Sequence, residues 1–213
     1  MNNRFRNRSD AGRKLAQRLS HYAGRDDVIV LALPRGGLPV GAEVADSLGA
    51  PMDVFLVRKL GVPGHEELAM GAIASGDVRV VDERILSQAN ANADDVSHVS
   101  AQEERELRRR ERLYRGDQPL PDVADRVVIL VDDGLATGST MRAAIMGVKA
   151  LGPKRIVVSV PVAPPEVCAA LTKDVDEVVC VLEPEVMLGI GGHYEHFPQL
   201  TDDDVRELLE RAE

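Results

Sequence analysis

The chain has 213 residues, a length typical of one domain, and it can bury a hydrophobic core without disulfides or metals. Its formal net charge of −9 and its aromatic content of 3% argue against a protein whose main task is to neutralise nucleic-acid phosphates or to stack bases. The basic start lacks an apolar run, and no later stretch approaches the ~20 apolar residues of a membrane span. We therefore expect a cytoplasmic protein with no membrane partner.

Short apolar runs bounded by glycine, proline or aspartate alternate with helical patterns, which is typical of βαβ units around a mostly parallel sheet. The first run, 28–33, is apolar throughout, as expected of a strand that is covered on both faces. A helix with Pro39 in its first turn follows and ends at Gly49. A second strand is predicted over 53–57.

The middle of the chain is less regular. Glycine and proline interrupt 61–76, so we predict a loop with a short strand at 71–74, and we interpret this loop as a candidate mobile lid. A further strand is predicted at 78–81. The insert 83–115 becomes strongly helical by Glu103, and its i,i+4 charge pairs are typical of a solvated helix: Glu104 with Arg108, Glu106 with Arg110 and Glu111 with Arg115.

The second half repeats the alternation of strands and helices. Strands are predicted at 127–131, 156–160 and 178–182. Between them lie two predicted helices, one with an apolar face formed by Met141, Ala144, Ile145, Val148 and Leu151, and one over 165–171. Thr201 is a suitable N-cap for a last helix, because Asp202, Asp203 and Asp204 follow it and complement the helix dipole.

These elements predict a single α/β domain over 1–213. Its core, about 28–182, is a mostly parallel twisted sheet of about five strands with helices on both faces. The terminal segments 1–27 and 183–213 lie outside this core. The segment 83–115 is a helical insert, and its basic cluster at Arg108, Arg109 and Arg110 leaves a partner or nucleic-acid surface as the less favoured alternative.

Three smaller groups of residues have mainly structural interpretations. Cys168 and Cys180 lie in apolar runs without metal-ligand spacing, which predicts buried, reduced thiols. The histidines near the tail suit no common zinc motif, although His193, Glu195 and His196 are close in sequence. Tyr194 and Phe197 either stack on a planar acceptor or, as we favour, pack the C-terminal helix onto the body.

The strongest chemical signal is the segment 127–140. An apolar strand ends at Asp132 and Asp133, and the sequence Thr137-Gly138-Ser139-Thr140 then opens a helix. Glycine permits close approach of the backbone, while amide groups and the positive end of the helix dipole converge on one point. This arrangement predicts a phosphate site. The two carboxylates are better suited to accept hydrogen bonds from the vicinal hydroxyls of a sugar.

The full pattern resembles the signature of type I phosphoribosyltransferases that binds 5-phosphoribosyl 1-pyrophosphate (PRPP), and the resemblance extends over about 28–182. It implies PRPP binding by Asp132, Asp133, Gly134, Ala136, Thr137, Gly138, Ser139 and Thr140. It also implies a pyrophosphate loop at Arg35, Gly36 and Gly37. Lys59, at the end of the predicted second strand, is implied as a further basic group near pyrophosphate, and the terminal segments 1–27 and 183–213 are implied to form a small hood. The segment 61–71 is similar in position to the family's flexible catalytic loop.

The resemblance further implies transfer of the phosphoribosyl group from PRPP to an acceptor, with release of pyrophosphate, as part of nucleotide metabolism. The candidate catalytic residues are Arg35, Lys59, Asp132 and Asp133. Mg²⁺ is the expected cofactor, held mainly by substrate oxygens, with the two aspartates as contacts through water. PRPP and a small molecule are the expected partners, and a homodimer is left open.

The acceptor is not indicated. Members of the family that act on 6-oxopurines carry an acidic residue immediately before the Thr-Gly pair, whereas this chain has Ala136. An aminopurine, a pyrimidine and a non-nucleobase acceptor therefore stay open, as does a non-catalytic protein that senses PRPP or a nucleotide. We expect Asp133→Asn and Thr137→Val to weaken PRPP binding with little loss of fold.

Overall fold

A computed structural model describes residues 4–89 and 91–210 of the chain. The helices are α1 (Arg8–Arg18), α2 (Gly37–Leu48), α3 (Glu83–Ala89), α4 (Ala93–Arg115), α5 (Ser139–Ala150), α6 (Pro165–Leu171) and α7 (Asp202–Glu210). The strands are β1 (Val28–Ala32), β2 (Met52–Val54), β3 (Val57–Val62), β4 (His65–Ala74), β5 (Val78–Val81), β6 (Val127–Val131), β7 (Arg155–Val162) and β8 (Glu177–Leu182). Short 3-10 helices span Ser20–Tyr22 and Ile190–His193.

The main sheet has five parallel strands in the order β2-β1-β6-β7-β8. From β1 the chain continues to one side of the sheet, to β2, whereas from β6 it continues to the other side, to β7 and β8. The strand order therefore reverses between β1 and β6. In open α/β sheets, ligands bind at the carboxyl ends of the strands where the order reverses. The turns after Ala32 and Val131, which lie opposite each other in the register, are thus the expected site.

Helices cover both faces of this sheet, as predicted. Successive residues of β1 alternate between the faces, so Val28 and Val30 pack with α1 and α2, while Ile29 and Leu31 pack with α5 and α6. Every residue of β1 and of β6 is buried. This double coverage is the physical reason for the continuous apolar runs in the sequence.

A second sheet is antiparallel and has the order β3-β4-β5. It packs against α5 at the small residue Gly147, where an added Cβ would lie 2.7 Å from the Cβ of Ala74. Its opposite face packs against α4 through a cluster that includes Leu60, Met70 and Leu107. The small sheet is therefore attached to the helix that begins at the predicted phosphate loop.

Two predictions in this region were wrong. The predicted strand over 53–57 is divided, because β2 ends at Val54 and β3, in the other sheet, begins at Val57. The predicted loop at the start of 61–76 is mostly strand: β3 and β4 form a hairpin around Pro63 and Gly64, and Gly64 has a φ of 78°. The short strand predicted at 71–74 is confirmed as the end of β4. Gly71 serves close packing, since a Cβ there would lie 2.3 Å from the carbonyl oxygen of Val80.

The insert 83–115 is helical, as predicted, but its ion pairs differ in part. Glu106 binds Arg110 and also Arg109. Arg108 instead contacts Asp77, and the buried Arg115 contacts Asp53, so α4 is attached to the body by its charges. The charges of the basic cluster are matched by acidic neighbours, which weakens the case for a nucleic-acid surface.

The two terminal segments meet at the aromatic residues of the tail. Phe5 forms a parallel bridge with Tyr194, and their ring centroids lie 5.4 Å apart. Phe197 lies 4.8 Å from Tyr194, measured between ring centroids. The aromatic pair therefore packs, as favoured, although its partner is the N-terminal segment rather than the C-terminal helix.

Thr201 caps α7, accepting a hydrogen bond from the amide of Asp204. Among the described residues, no helix combines the length and apolarity that crossing a membrane requires.

Candidate functional site

The turn after β1 lies directly on the turn after β6. The amide of Leu33 donates to the carbonyl oxygen of Val131 at 2.8 Å, which keeps the two chain segments side by side. A Cβ added at Gly36 would lie 2.0 Å from Oδ2 of Asp133, and one added at Gly37 would lie 2.7 Å from the carbonyl oxygen of Val131. The structure thus brings the predicted pyrophosphate loop and the two predicted ribose-binding carboxylates together.

This packing predicts that Gly37→Ala is destabilising. The added methyl meets a backbone carbonyl that cannot rotate away, so we expect the free energy of unfolding to fall by about 1–3 kcal/mol. Urea unfolding followed by circular dichroism measures the change. Gly192→Ala is the matched control, because its added methyl would meet nothing within 4 Å. Equal stability of the two variants would contradict the close packing of the two turns.

The predicted phosphate loop opens α5 as the sequence indicated. Gly138 is the N-cap residue of α5 and has a φ of 72°, a left-handed conformation that favours glycine. The amides of Thr137, Gly138 and Thr140 have no hydrogen-bond acceptor among residues 4–89 and 91–210. The amide of Ser139 makes only a 3.4 Å contact with Thr137 Oγ1. These donors at the positive end of α5 are suited to bind an anion.

Arg142 is a neighbour of this loop that sequence reasoning missed. Its Nη1 donates to the carbonyl oxygen of Thr137 at 3.0 Å and would lie 3.3 Å from a Cβ at Gly138. Arg142 stands in the first turn of α5, where the helical pattern gives no reason to single out an arginine. It holds the loop and adds a positive charge beside the free amides.

Asp133 is held by residues from both terminal segments. Nε of Arg8 donates to Oδ2 of Asp133 at 2.8 Å, and the two side chains are only 9% and 10% exposed. Arg8 also donates to the carbonyl oxygen of Pro198 and stacks on the ring of Phe197, 3.7 Å from its centroid. The Tyr194 hydroxyl donates to the backbone carbonyl of Asp133 at 2.6 Å. This carboxylate is therefore fixed in one orientation.

Asp132 has a different environment. The residue is mostly covered and only partly exposed, and its Oδ1 accepts the amide hydrogen of Asp133 at 2.8 Å. Burial and the neighbouring charge of Asp133 raise the pKa of Asp132 well above its usual value. Burial also raises the pKa of Asp133, although Arg8 opposes the shift. A cation or hydroxyl donors at Asp132 would relieve this electrostatic cost.

Arg35 lies between the pyrophosphate loop and the start of α7. Its Nη1 is 4.0 Å from Oδ1 of Asp202, and its side chain is 37% exposed. The Tyr114 hydroxyl of α4 donates to the same carboxylate. Burial, together with this hydrogen bond, raises the pKa of Tyr114 to about 12. The long contact leaves the Arg35 guanidinium able to bind a ligand oxygen.

Lys59 lies inside β3 rather than at the end of the second strand of the main sheet. It pairs with Ala72, which in turn pairs with Val80. Because side chains alternate along a strand, Lys59 lies on the same face as Val57, which packs against the core beneath α5. Lys59 is thus on the α5 side of the small sheet.

A groove lies away from this site. It has a volume of about 530 Å³ and runs between Gly76 and the end of α4, and its lining mixes Arg108 and Arg112 with Asp77 and Glu111. Neither the free amides nor the aspartate pair contributes to it. The combination of anion donors and carboxylates is found at the carboxyl edge of the main sheet.

Comparisons with known proteins found a matching family model and a similar solved structure. The family model described as the phosphoribosyl transferase domain matches residues 3–187. The crystal structure of TT1426 from Thermus thermophilus is 41% identical to the chain, covers 98% of each protein and has a TM-score of 0.91.

Curated relatives include a Mycobacterium tuberculosis protein that is provisionally named a phosphoribosyl transferase. It is 44% identical over 209 residues, which are 98% of this chain and 47% of the relative. The bifunctional protein PyrR of Clostridium acetobutylicum is 30% identical over 138 residues, which are 64% of this chain and 58% of PyrR. The chain spans about half the length of the curated relatives it matches.

Proposed function

Because the chain belongs to the phosphoribosyl transferase domain family, we propose that it transfers the 5-phosphoribosyl group from PRPP to a small acceptor and releases pyrophosphate. One observation carries the proposal. The loop with free amides, the aspartate pair and the Arg35-Gly36-Gly37 turn meet at the point where the strand order reverses. These three groups match the three parts of PRPP.

Each part of PRPP has a place in this arrangement. The 5-phosphate accepts hydrogen bonds from the amides of 137–140, beside the guanidinium of Arg142. The ribose hydroxyls donate to Asp132, while Asp133, already bound to Arg8, keeps its neighbour in position. The pyrophosphate lies against the backbone of Gly36 and Gly37.

Mg²⁺ is the proposed cofactor. Asp132 is a partly exposed carboxylate with hard oxygen donors beside Asp133, and it fits a cation bound through water. When bound, Mg²⁺ supplies positive charge to the pyrophosphate oxygens. The protein residues need only position the substrate around it.

The chemistry is proposed to be mainly electrostatic. Arg35 and Lys59 stabilise the negative charge that develops on the leaving pyrophosphate. Loss of one such contact costs on the order of 3 kcal/mol in the barrier. The β3–β4 hairpin, with its tip at Pro63 and Gly64, is proposed to act as the lid that excludes water from the reacting ribosyl centre.

The acceptor site is proposed to lie beside the segment 183–189. Ile190 packs against the aspartate turn, because a Cβ at Gly134 would lie 2.8 Å from its Cγ2. The preceding residues Val186 and Leu188 are 75% and 99% exposed. Tyr194 is buried and so cannot serve as a stacking platform. An acceptor with a flat apolar face fits these exposed side chains better than it fits the aromatic pair.

The second candidate is a non-catalytic protein that senses PRPP or a nucleotide, and Ala136 favours it. This exposed residue supplies no group that can accept a proton from the acceptor. Pyrophosphate release from PRPP and Mg²⁺ distinguishes the two candidates when it is measured with adenine, orotate, uracil, hypoxanthine and non-nucleobase amines. Acceptor-dependent release supports transfer. Tight PRPP binding without release for any acceptor would support the sensor.

Thr137→Val tests the phosphate loop. The substitution keeps the shape of the side chain and removes a hydroxyl donor from an exposed loop residue, so PRPP affinity should fall by about fivefold to tenfold with no change in unfolding. Isothermal titration calorimetry with Mg²⁺ measures the affinity. Thr172→Val, at the end of α6, is the matched control and should bind PRPP normally. Unchanged affinity in Thr137→Val would argue against this phosphate position.

A further inference from the structure

The two cysteines of the chain are brought together by the fold. Cys168 lies in α6 and Cys180 in β8. The two sulfur atoms and a carboxylate oxygen of Glu183 all lie within 4.8 Å of one another. The sequence predicted two buried, reduced thiols, and the cysteines stand twelve positions apart in different elements. The crossover from α6 into β8 places one thiol against the other.

The pair is chemically unequal. The Cys180 thiol can donate to the sulfur of Cys168 or to the carbonyl oxygen of Leu182, which lies 3.1 Å away. The hydrogen bond from Cys180 lowers the pKa of the Cys168 thiol. The same hydrogen bond and burial raise the pKa of Cys180. Cys168 is therefore the better nucleophile, and Cys180 is the second thiol that follows it.

The exposure of the two cysteines bears on their access to a small oxidant. Cys168 is 7% exposed, and Cys180 is partly exposed on β8, the edge strand of the main sheet. Glu183 beside them is exposed. The pair thus lies at the surface of the core rather than at its centre.

The pair is also connected to the phosphate loop. Val167 immediately precedes Cys168, and its Cγ1 would lie 2.9 Å from a Cβ at Gly138. Gly138 is the left-handed N-cap residue from which α5 begins. The same turn of α6 therefore touches the loop on one side and carries a thiol on the other.

We propose that Cys168 and Cys180 form a reversible disulfide that links α6 to β8 and alters the phosphate loop. The oxidant is a peroxide. The Cys168 thiolate attacks one peroxide oxygen to give a sulfenic acid and hydroxide, and the sulfur of Cys180 then displaces hydroxide from it. In total, two thiols and one hydrogen peroxide give one disulfide and two waters.

Closure of the disulfide has a structural consequence for the loop. A disulfide bond is about 2 Å long, so the sulfurs must move together, and the proposal assigns part of that movement to a shift of α6 toward β8. This shift draws Val167 away from Gly138 and loosens the loop. This inference rests on the proposed function, and it predicts that oxidation weakens PRPP binding by about threefold or more.

The experiment treats the full chain with hydrogen peroxide and then blocks remaining thiols with an alkylating reagent. Mass spectrometry should find no alkylated cysteine. It should find a disulfide-linked peptide that joins Cys168 to Cys180, and dithiothreitol should reduce this link. Cys168→Ser and Cys180→Ser should not form this link. Calorimetry with PRPP should give weaker binding for the oxidised chain and no effect of oxidation on the Cys168→Ser/Cys180→Ser chain, provided that circular dichroism confirms its fold.

A metal site is the main alternative to a disulfide at these residues. Glu183→Gln should still form the disulfide, because the carboxylate takes no part in the chemistry. If zinc instead binds the wild-type chain stoichiometrically, protects both thiols from peroxide and is lost in Glu183→Gln, the site holds a metal and the proposal is overturned. Two free thiols after oxidation also overturn it. A disulfide that forms in a chain unable to bind PRPP contradicts the proposed function alone.

Discussion

Arg8→Met is expected to lower the free energy of unfolding by about 3–5 kcal/mol, because it leaves the buried Asp133 carboxylate without its partner. The two side chains are 9% and 10% exposed, and their ion pair joins α1 to the end of β6. Part of the cost is offset when Asp133 takes up a proton, so the loss should be larger at about pH 8 than at about pH 5. Urea unfolding at both pH values measures the loss of stability.

A double-mutant cycle distinguishes the ion pair from loss of packing. Asp133→Asn alone should also destabilise, since it leaves the Arg8 guanidinium buried without its carboxylate. This revises the expectation from sequence that Asp133→Asn would leave the fold nearly intact. Arg8→Met/Asp133→Asn should recover much of the loss. Arg13 lies on the same helix as Arg8 and forms an exposed ion pair with Glu43. Arg13→Met should therefore lower the free energy of unfolding by only about 1 kcal/mol or less. Additive losses in the cycle would refute the coupling.

Asp132→Asn is expected to weaken PRPP binding by about 10- to 100-fold, because hydrogen bonds from ribose hydroxyls to a charged acceptor contribute about 1.5–3 kcal/mol. The same substitution should leave stability unchanged or raise it at neutral pH. Burial and the charge of Asp133 raise the pKa of Asp132, so its ionised form is unfavourable in the folded protein. Calorimetry and thermal unfolding give the two quantities on the same samples.

The sign of the pH dependence follows from this pKa. A carboxyl whose pKa is raised on folding contributes stability at low pH and loses it as the pH rises above the usual value of 3.8. The stability of Asp132→Asn relative to the wild type should therefore increase from about pH 4 to about pH 8. Asp46→Asn, which removes an exposed carboxylate on α2, should change neither the stability nor the affinity for PRPP. An Asp132→Asn chain that is less stable than the wild type at neutral pH and binds PRPP normally would contradict both assignments.

Local pattern was sufficient for the elements that form the main sheet. The runs that became β1 and β6 are apolar at every position, and the helix that became α5 has an apolar face at helical spacing. Thr201 and Gly49 mark the helix ends that the sequence predicted. Such features depend on neighbours a few residues away, so they can be read without a structure.

The β3–β4 hairpin could not be read in this way. Gly61 and Gly71 predict a loop by their conformational freedom, and Pro63 does so by its fixed φ and missing amide hydrogen. Gly71 is instead required by the close approach of β5. The hairpin is stabilised by tertiary packing against α5 and α4, which the local sequence does not encode. Lys59 was consequently placed at the end of a strand when it lies inside one.

The supporting residues of the site depend on long-range contacts. Arg8 and Asp133 are 125 positions apart, and Tyr194 reaches Asp133 across 61 positions. In sequence, Arg8 is one of several arginines in a basic start, and Tyr194 lies in a glycine-rich tail without a recognisable motif. The phosphate loop was identifiable because all of its parts are contiguous. The residues that hold the neighbouring Asp133 carboxylate could not be identified, because they are distant from it in the sequence.

The central claim is that the amides of 137–140 bind the 5-phosphate of PRPP beside Asp132. The most direct measurement is a titration of the ¹⁵N-labelled chain with PRPP and Mg²⁺, followed by amide chemical shifts. The amides of Thr137, Gly138, Ser139 and Thr140 should shift most, together with those of Gly36 and Gly37. Shifts confined to the groove between Gly76 and the end of α4, or none at saturating PRPP, would contradict the claim.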